Sequence, residues 1–358
     1  MLEIKILTSF LLSLVFGLIT IPLILKFCKE RNLYDIPDFR KRHKQAIPRL
    51  GGIAFLPCML LSFGLVLLIF SIKYTAATSV HLWYLYLLFG FLIIYVVGIF
   101  DDIVSLSARL KFFVQFLAAC CLPAAGIYIS NLFGLFGVYE IPSYVGIPLT
   151  IGTILLIVNA INLIDGIDGL STSISVICLC GYIYLYSAIN AWVICVMCSG
   201  LIGSLIAFLY FNMFGKPEKN TKIFMGDSGS LTLGFIIAAM FVKFLMLAFE
   251  NGATENNKGV VLAYSLLIIP VYDVFRVVII RLRNKKPLFG ADRNHIHHKL
   301  MDAGFSPYWT LGIIVSFALV YIICNLILED YYSNTTIFMI DVIAYILFNY
   351  AIRLKQRK

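Results

Sequence analysis

The feature that most constrains this chain is a series of apolar runs, each about 18 residues or longer, that recurs along its whole length. Eleven such runs lie at roughly 6–25, 52–72, 82–100, 112–130, 147–163, 170–188, 191–211, 229–249, 259–280, 308–328 and 336–352. Hydrophobic residues make up 61% of the chain and charged residues 13%, which excludes an ordinary soluble domain. The sequence therefore predicts an all-α integral membrane protein with about 11 (10–11) transmembrane helices.

Lysine and arginine fall almost entirely on one side of the predicted membrane. With the N-terminus outside, the cytoplasmic segments near 26–49, 100–111, 212–227, 281–305 and 353–358 hold nearly all of them, and Lys5, Lys73 and Lys258 lie outside. This bias predicts an external N-terminus, a cytoplasmic C-terminus and an inner (plasma) membrane location. It also accounts for the net charge of +9, because basic loops would lie against an anionic leaflet, and it excludes nucleic acid as a partner.

The chain shows no internal repeat, low-complexity segment or interdomain linker. The first apolar run lacks a positively charged start and a small-residue cleavage site, so we interpret it as an uncleaved span and not a signal peptide. The sequence therefore predicts a single polytopic membrane domain over residues 1–358.

Polar residues cluster at five places, all on the predicted cytoplasmic side. The first cluster is the basic segment 35–52, which ends in Pro-Arg-Leu-Gly-Gly at 48–52. A positive-inside loop explains its individual basic residues. Two glycines at the start of a helix would also let an anion approach the backbone amides closely.

The second cluster is the adjacent pair Asp101 and Asp102, where a predicted helix meets the cytoplasm. Adjacent carboxylates repel each other and need a metal ion, another cation or a shared proton. The pair suits a general base with a raised pKa or the ligands of a hard cation, and a solvated helix end is the alternative. Arg109 and Lys111 follow within about two turns and could neutralise the pair or bind phosphate.

The third cluster is the stretch from Asn159 to Leu170, which contains two Asp-Gly pairs. In a continuous helix Asp165 and Asp168 would share one face. The Asp-Gly pairs instead predict that the helix ends in a turn whose backbone amides are open to a ligand.

The fourth cluster is Phe-Met-Gly-Asp-Ser-Gly-Ser at 224–230. Glycine on both sides of Asp227 at a helix start places a carboxylate beside open amides, which suits a cation that bridges to phosphate oxygens. We add Asn212, at the start of the same cytoplasmic segment, as a substrate-binding candidate.

The fifth cluster is Asp-Arg-Asn-His-Ile-His-His-Lys at 292–299. Three histidines in four residues suggest zinc, but soft ligands are few and positive charge is abundant. Imidazoles beside Arg293 and Lys299 fit phosphate recognition at least as well. In the preceding apolar run, Asp273 and Arg276 are three residues apart and predict a structural ion pair.

The five aspartates in these clusters indicate that the clusters form a single site. Each would cost about 2.5–3.5 kcal/mol at the centre of a membrane helix. At cytoplasmic helix ends around a wet, basic cleft they cost far less and can hold Mg²⁺, which describes a phosphate-handling site. The five are Asp101, Asp102, Asp165, Asp168 and Asp227.

These clusters, in this order, resemble the polyprenyl-phosphate N-acetylhexosamine-1-phosphate transferases of glycosyltransferase family 4. The resemblance rests on the motifs at 48–52, 101–102, 159–169, 224–230 and 295–298, and it is closest to the undecaprenyl-phosphate GlcNAc-1-phosphate transferase branch. It implies 10 or 11 helices, a cytoplasmic cleft and transfer of a sugar 1-phosphate, most simply GlcNAc 1-phosphate, from a UDP-N-acetylhexosamine to undecaprenyl phosphate with release of UMP. This reaction begins the lipid-linked synthesis of cell-envelope polysaccharides such as lipopolysaccharide, teichoic acid and capsule.

The resemblance also implies roles for individual residues. Asp101 would deprotonate the lipid phosphate, Asp227 would be the main Mg²⁺ ligand, and Asp102 would support the metal or lysine network. Mn²⁺ is the alternative cation, and Asp165 is a further metal-ligand candidate. The expected substrate-binding residues are Asn159, Asn162, Asp165, Asp168, Phe224, His295, His297, His298, Lys111, Arg293 and Asn212. A homodimer is a family-level expectation.

Two alternatives stay open at this stage. The related peptidoglycan enzyme transfers phospho-MurNAc-pentapeptide and typically carries a Pro-Leu-His-His-His loop, whereas this chain has Asn-His-Ile-His-His at 294–298. An ion-coupled transporter would place its charges near the membrane midplane between repeated halves, and this chain shows neither feature.

Overall fold

The computed structural model describes residues 1–34, 46–71, 82–252, 258–286 and 294–356. It is mostly helical, as the apolar runs predict. The helices are α1 (Leu2–Glu30), α2 (Phe55–Ser71), α3 (Trp83–Val104), α4 (Ala108–Ala124), α5 (Ser143–Ile164), α6 (Leu170–Ala188), α7 (Trp192–Phe214), α8 (Gly226–Glu250), α9 (Lys258–Ser265), α10 (Ile268–Arg283), α11 (Ile296–Asp302), α12 (Pro307–Leu328) and α13 (Asn334–Gln356). Two strands, β1 (Asn131–Leu135) and β2 (Val138–Glu140), and short 3₁₀ turns at Gly51–Ala54 and Pro217–Lys219 complete the described elements.

The number of membrane spans differs from the sequence-based count. Within the described ranges, nine helices are long and apolar enough to cross a membrane, or ten if α9 and α10, which meet at a 53° bend, form one span. The structure thus confirms a multi-helix membrane protein, whereas the total of eleven spans and the orientation stay predictions.

The predicted run 112–130 folds differently from a full span. α4 has only 17 residues and contains Pro123 in its last turn. The chain then turns at Gly126, where φ is +77°, and continues towards the antiparallel pair β1–β2. A hairpin within an all-α pattern was not predicted, because five and three residues of strand leave too short an alternating pattern to detect beside long apolar runs.

The chain forms two compact units, and the prediction of a single domain stays a prediction. The first comprises residues 1–114 and 175–233. In it α1 packs along α7, and α2 contacts both. Ser9, Ser13 and Gly17 form a buried stripe of small residues on α1, and the hydroxyl of Ser199 donates a 2.7 Å hydrogen bond to the carbonyl of Ile6. Small residues allow the close helix approach on which packing within a membrane depends.

The second unit comprises residues 115–174 and 234–358. α10 packs on α5, and α12 on α9. The β1–β2 hairpin is held to α13 by the amide of Asn334, which donates to the carbonyl of Phe133 at 2.6 Å. At the α9–α10 bend, the amide of Asn325 donates to the hydroxyl of Ser265 and to the carboxylate of Asp341. These contacts satisfy polar groups that would be costly in a membrane core.

Candidate active site

The first unit brings together two of the predicted aspartates through Lys111. The Lys111 ammonium lies 2.6 Å from Asp101 Oδ2 and 2.7 Å from Asp227 Oδ2. These residues come from α4, α3 and the first turn of α8, so their contact depends on tertiary structure. The Asp101 side chain is 8% exposed and that of Asp227 is 25% exposed, so Asp227 is the more open carboxylate.

The charge of Lys111 is stabilised by this environment. Burial lowers the pKa of the Lys111 ammonium, but the carboxylates of Asp227 and Asp101 more than offset that effect. The pKa therefore lies above the usual value for lysine, and Lys111 is a fixed positive charge at neutral pH.

Asp102 has a different position from its neighbour. Its Oδ1 accepts a 2.8 Å hydrogen bond from the backbone amide of Asp227, and its Oδ2 accepts one of 2.9 Å from the amide of Ser228. A carboxylate from α3 thus satisfies the first amides of α8, where a negative charge also interacts favourably with the helix dipole. The arrangement positions Asp227 through its backbone, while the Asp227 side chain contacts Lys111.

The Pro-Arg-Leu-Gly-Gly segment packs directly against the start of α8. The amides of Gly51 and Gly52 donate to the carbonyls of Phe224 and Met225 at 3.0 and 2.8 Å. A side chain at Gly52 would bring its Cβ within 2.1 Å of the Gly229 backbone, so only glycine fits there. The two motifs therefore form one backbone-paired structure.

Arg49 attaches this segment to α3. Its Nε donates to the carbonyl of Asp102 at 2.8 Å, and its Nη2 donates to the same oxygen. Gly226 meets the same region from α8, with a φ of +74° that disfavours other residues. The result is a rigid support around the two aspartates.

The carboxylates of this unit fit a hard divalent cation. Asp227 is the more exposed carboxylate of the group, and carboxylate oxygens are the ligands that Mg²⁺ prefers. In the parts of the chain that the structure describes, no group of three His, Cys, Asp or Glu side chains could hold a metal alone. Mg²⁺ is commonly bound by one or two carboxylates together with water and substrate phosphates, a pattern that Asp227 fits.

The other side chains predicted in this unit lie near the same motif. The Asn212 amide donates a 2.9 Å hydrogen bond to the carbonyl of Ile223, and Asn212 is buried. Phe224 is half-buried, and its amide donates to the carbonyl of Pro48 at 2.7 Å. Both contacts hold the segment before α8 in place.

The third cluster lies in the second unit and forms the predicted turn. α5 ends at Ile164, the chain turns through Asp165–Gly169, and α6 begins at Leu170. Gly169 has a φ of +76°, and both Asp165 and Asp168 are half-exposed. The prediction of a helix end with a turn is confirmed.

The asparagines of the third cluster precede that turn. Asn159 donates from Nδ2 to Gln115 Oε1 and to the carbonyl of Leu155, both at 2.8 Å. Asn162 is half-buried, and its carbonyl accepts the amide of Asp165. Asn159 thus connects α5 to α4 within the second unit.

The histidines of the fifth cluster have unequal surroundings. His295 is 4% exposed, and its Nδ1 lies 2.8 Å from Asp273 Oδ2. The ring of His297 is buried against Gly166, where an added Cβ would lie 2.0 Å from Nε2. His298 is half-exposed, and its ring centroid lies 4.2 Å from that of His297. The fifth cluster and the Asp-Gly turn are therefore in direct contact.

Asp273 makes more contacts than the ion pair that the sequence predicted. The predicted pair with Arg276 is confirmed at 2.6 Å. Asp273 also accepts from the amide of Ile296 at 3.0 Å and from the hydroxyl of Tyr345 at 3.2 Å, in addition to its contact with His295. The sequence signal for a larger role was a carboxylate inside an apolar run, but the additional partners of Asp273 lie 22 to 72 residues away and could not be predicted.

Arg293, another predicted binding residue, lies outside the described residues.

Comparison with known proteins gives a family match. Residues 84–245 match the family described as glycosyl transferase family 4. The chain is 31% identical, over 348 residues, to the probable undecaprenyl-phosphate N-acetylglucosaminyl 1-phosphate transferase of Bacillus subtilis strain 168, a match that covers 95% of this chain and 89% of that protein.

Two further relatives are named undecaprenyl-phosphate alpha-N-acetylglucosaminyl 1-phosphate transferase. The Yersinia pestis protein is 29% identical over 326 residues, which cover 90% of this chain and 84% of that protein. The Escherichia coli K12 protein is 28% identical over 334 residues, which cover 92% and 86%. The similarity therefore extends through both units.

Proposed function

The chain belongs to glycosyl transferase family 4 and is a glycosyl-1-phosphate transferase, and we propose that it transfers N-acetylglucosamine 1-phosphate from UDP-GlcNAc to undecaprenyl phosphate. The reaction releases UMP and leaves undecaprenyl-diphosphate-GlcNAc in the membrane. The names of the relatives support this sugar and this acceptor, and they do not favour phospho-MurNAc-pentapeptide transfer or ion transport.

The protein is a multi-pass membrane protein, and its proposed location is the inner (plasma) membrane with catalysis on the cytoplasmic face. The supporting argument is the distribution of lysine and arginine, which is a topology signal in membrane proteins. A UDP-sugar is made in the cytoplasm, so a cytoplasmic site would have direct access to its donor. The homodimer is an expectation from the resemblance alone.

The observation that carries the proposal is the bridge of Lys111 between Asp101 and Asp227. A transferase for sugar phosphates must bring two phosphate-bearing molecules together despite their repulsion. This group, next to the start of α8, provides an ammonium that can donate to a phosphate and carboxylate oxygens that can bind a metal. Chains that merely cross a membrane have no need of such a group.

Each residue of this group has a distinct proposed role. The Lys111 ammonium binds the phosphate of the acceptor and holds it near Asp101. Asp101 Oδ2 accepts the proton of that phosphate, which makes its oxygen a better nucleophile. Asp102 positions Asp227 through the backbone of α8, because each of its oxygens accepts one amide hydrogen bond from the start of that helix.

Asp227 is the proposed main ligand of Mg²⁺, with Mn²⁺ as an alternative, and Asp102 and Asp165 keep their predicted assignment as further metal ligands. When bound, the cation would neutralise the donor diphosphate and stabilise the departing UMP. We favour direct attack by the acceptor phosphate, because the assigned groups suffice for it without a covalent enzyme intermediate. Asn159, Asn162, Asp165, Asp168, Phe224, His295, His297 and His298 keep their predicted assignment to the donor.

The test uses the purified full-length protein in detergent with Mg²⁺ and undecaprenyl phosphate. A panel of UDP-GlcNAc, UDP-GalNAc, a UDP-6-deoxy-HexNAc and UDP-MurNAc-pentapeptide is supplied separately, and UMP release and product mass are measured. We expect product from UDP-GlcNAc. Absence of UMP release with every donor would refute the transferase assignment, and product from UDP-MurNAc-pentapeptide alone would replace the proposed sugar.

A second arm tests the residue that carries the proposal. Lys111→Met should reduce the rate of UMP release by at least about 100-fold, because it removes the charge preorganised for phosphate. Lys219→Met is the matched control, since Lys219 is an exposed lysine of the same unit. Equal activity of the two variants would contradict the role of Lys111.

A further inference from the structure

The second unit contains an excess of positive charge around a buried lysine. Lys299, in α11, is only 7% exposed, and its ammonium forms no hydrogen bond within the described part of the chain. The charges that act on it are those of Arg276 and Asp273 on α10 and of Arg353 on α13. With Lys299 itself, this group contains three cations and one carboxylate.

That carboxylate is shared among several other donors. Asp273 Oδ1 accepts from Arg276 Nη2, the Ile296 amide and the Tyr345 hydroxyl, and Oδ2 contacts His295 Nδ1. Lys299 forms no hydrogen bond with it within the described part of the chain. The charge of Asp273 acts on Lys299 only without direct contact.

Arg276 also has hydrogen-bond donors without an acceptor. Its Nη2 donates to Asp273 and to the carbonyl of Asn294, but Nε and Nη1 are buried without a hydrogen-bond acceptor among the described residues. A buried donor without an acceptor is unfavourable, and a buried charge without a partner is more so. Both observations indicate that an anion is missing.

We propose that Arg276, Lys299 and Arg353 form a binding site for a phosphate group, separate from the Asp101–Asp227 group. A guanidinium edge and an ammonium are the donors that proteins use most often for phosphate oxygens. Arg353 is exposed on the last turn of α13, so its guanidinium is accessible to an anion.

Exposed apolar residues on the helices that carry Arg276 and Arg353 favour an anionic phospholipid as the source of the phosphate. Ile279 and Leu282 on α10 and Tyr350 and Leu354 on α13 are each at least 45% exposed, and they offer apolar surface to acyl chains. Basic pockets at the ends of membrane helices are a common form of lipid headgroup site. A free phosphate ion would use the cations but not this apolar surface.

Burial and the charges of Arg276 and Arg353 lower the pKa of the Lys299 ammonium to about 8, while Asp273 partly opposes them. A bound phosphate would reverse the sign of the local charge and favour the protonated amine. Binding of the anion and protonation of Lys299 are therefore expected to reinforce each other.

The test measures lipid and phosphate binding to the purified full-length protein in detergent. Phosphatidylglycerol, phosphatidylcholine and inorganic phosphate are titrated separately, with native mass spectrometry for bound lipid and thermal unfolding for both ligand types. We expect one tightly held phosphatidylglycerol per chain. Inorganic phosphate that competes with it would show that the phosphate group alone is recognised, and stabilisation by inorganic phosphate without lipid binding would assign the same site to the free ion.

Lys299→Met removes the charge with little change in volume and should weaken binding at least about tenfold, the value of one charge-assisted hydrogen bond. Lys299→Arg should retain most of the affinity. Lys286→Met, at an exposed lysine of the same unit, should bind as the unchanged protein does. No binding to the unchanged protein, or equal weakening by Lys286→Met, would overturn the proposal.

A donor arm separates this site from the catalytic one. UDP-GlcNAc added to the protein with bound phosphatidylglycerol should leave the lipid in place. Displacement of the lipid by UDP-GlcNAc would assign Lys299 to the donor site and overturn a separate phosphate site. Because the binding arms need no turnover, they can succeed even if the proposed reaction is wrong.

Discussion

The carboxylate of Asp102 lies 2.8 Å from the backbone amide of Asp227, so a side chain of α3 caps the helix that carries the most open aspartate. Adjacent aspartates in the sequence thus have different tasks. Asp101 contacts a cation, whereas Asp102 holds the start of α8.

Asp102→Asn should lower the stability of the protein. An amide can replace only one of the two accepting oxygens, so about 1–2 kcal/mol of capping free energy would be lost. Thermal unfolding in detergent should show a lower melting temperature together with reduced UMP release. An unchanged melting temperature would contradict the capping role.

Asp227→Asn should reduce activity without reducing stability. The cap binds the backbone of Asp227 and not its side chain, so the melting temperature should stay close to that of the unchanged protein. UMP release should fall at least about 100-fold, because the metal ligand and the partner of Lys111 are lost together. Normal turnover would refute the assignment of this carboxylate to phosphate transfer.

Gly52→Ala should disrupt the contact between the Pro-Arg-Leu-Gly-Gly segment and α8. The added Cβ would lie 2.1 Å from the Gly229 backbone, and neither backbone can move without breaking the adjacent hydrogen bonds. We expect lower yield and a melting temperature several degrees lower. Gly64→Ala is the matched control, because a Cβ there meets nothing within 4 Å.

Gly166→Ala tests whether the packing of His297 against the Asp-Gly turn matters for the donor. The added Cβ would displace the imidazole, which is buried and cannot move freely. The KM for UDP-GlcNAc should rise several-fold, measured by initial rates over a range of donor concentrations. Gly152→Ala, in open space on α5, should keep the original KM, and equal values for both variants would contradict a donor role for this contact.

The stability of the phosphate-free protein should rise with pH above about 8 because of Lys299. Its pKa is about 8 in the folded protein and 10.5 as the ordinary value, so the unfolded chain binds more protons between these limits. The resulting destabilisation is fully present below pH 8 and disappears as the pH approaches 10.5.

Lys299→Met removes that destabilisation. Its melting temperature should exceed that of the unchanged protein at pH 7, and the two should converge near pH 10. The melting temperature of Lys286→Met should change with pH in the same way as that of the unchanged protein. A constant difference between Lys299→Met and the unchanged protein at every pH would show that the ammonium is not responsible.

Features with a long local pattern were predictable from the sequence. The apolar runs gave the helices, and the two Asp-Gly pairs gave the turn between Ile164 and Leu170. The prediction of a full span at 112–130 was wrong, because hydropathy alone does not show that the helix ends near Pro123 and Gly126. The bend between α9 and α10 is likewise hidden in a continuous apolar run.

The candidate site was predictable in composition but not in geometry. The motifs pointed to Asp101, Asp102 and Asp227 and to different roles for the adjacent pair, yet they did not show the contacts of either carboxylate. Their difference arises from which oxygen meets the α8 amides and which meets Lys111, and those partners are 10 to 126 residues distant. The role of Asp273 was missed for the same reason.

The contact between Gly52 and Gly229 has an evolutionary consequence. A Cβ at Gly52 would lie 2.1 Å from the Gly229 backbone and one at Gly229 would lie 2.8 Å from the Gly52 Cα, so a descendant that changes either glycine must separate the two backbones. Substitutions that change the donor sugar are therefore expected in other segments. In a laboratory library randomised at these two codons, most variants other than glycine are expected to fold poorly.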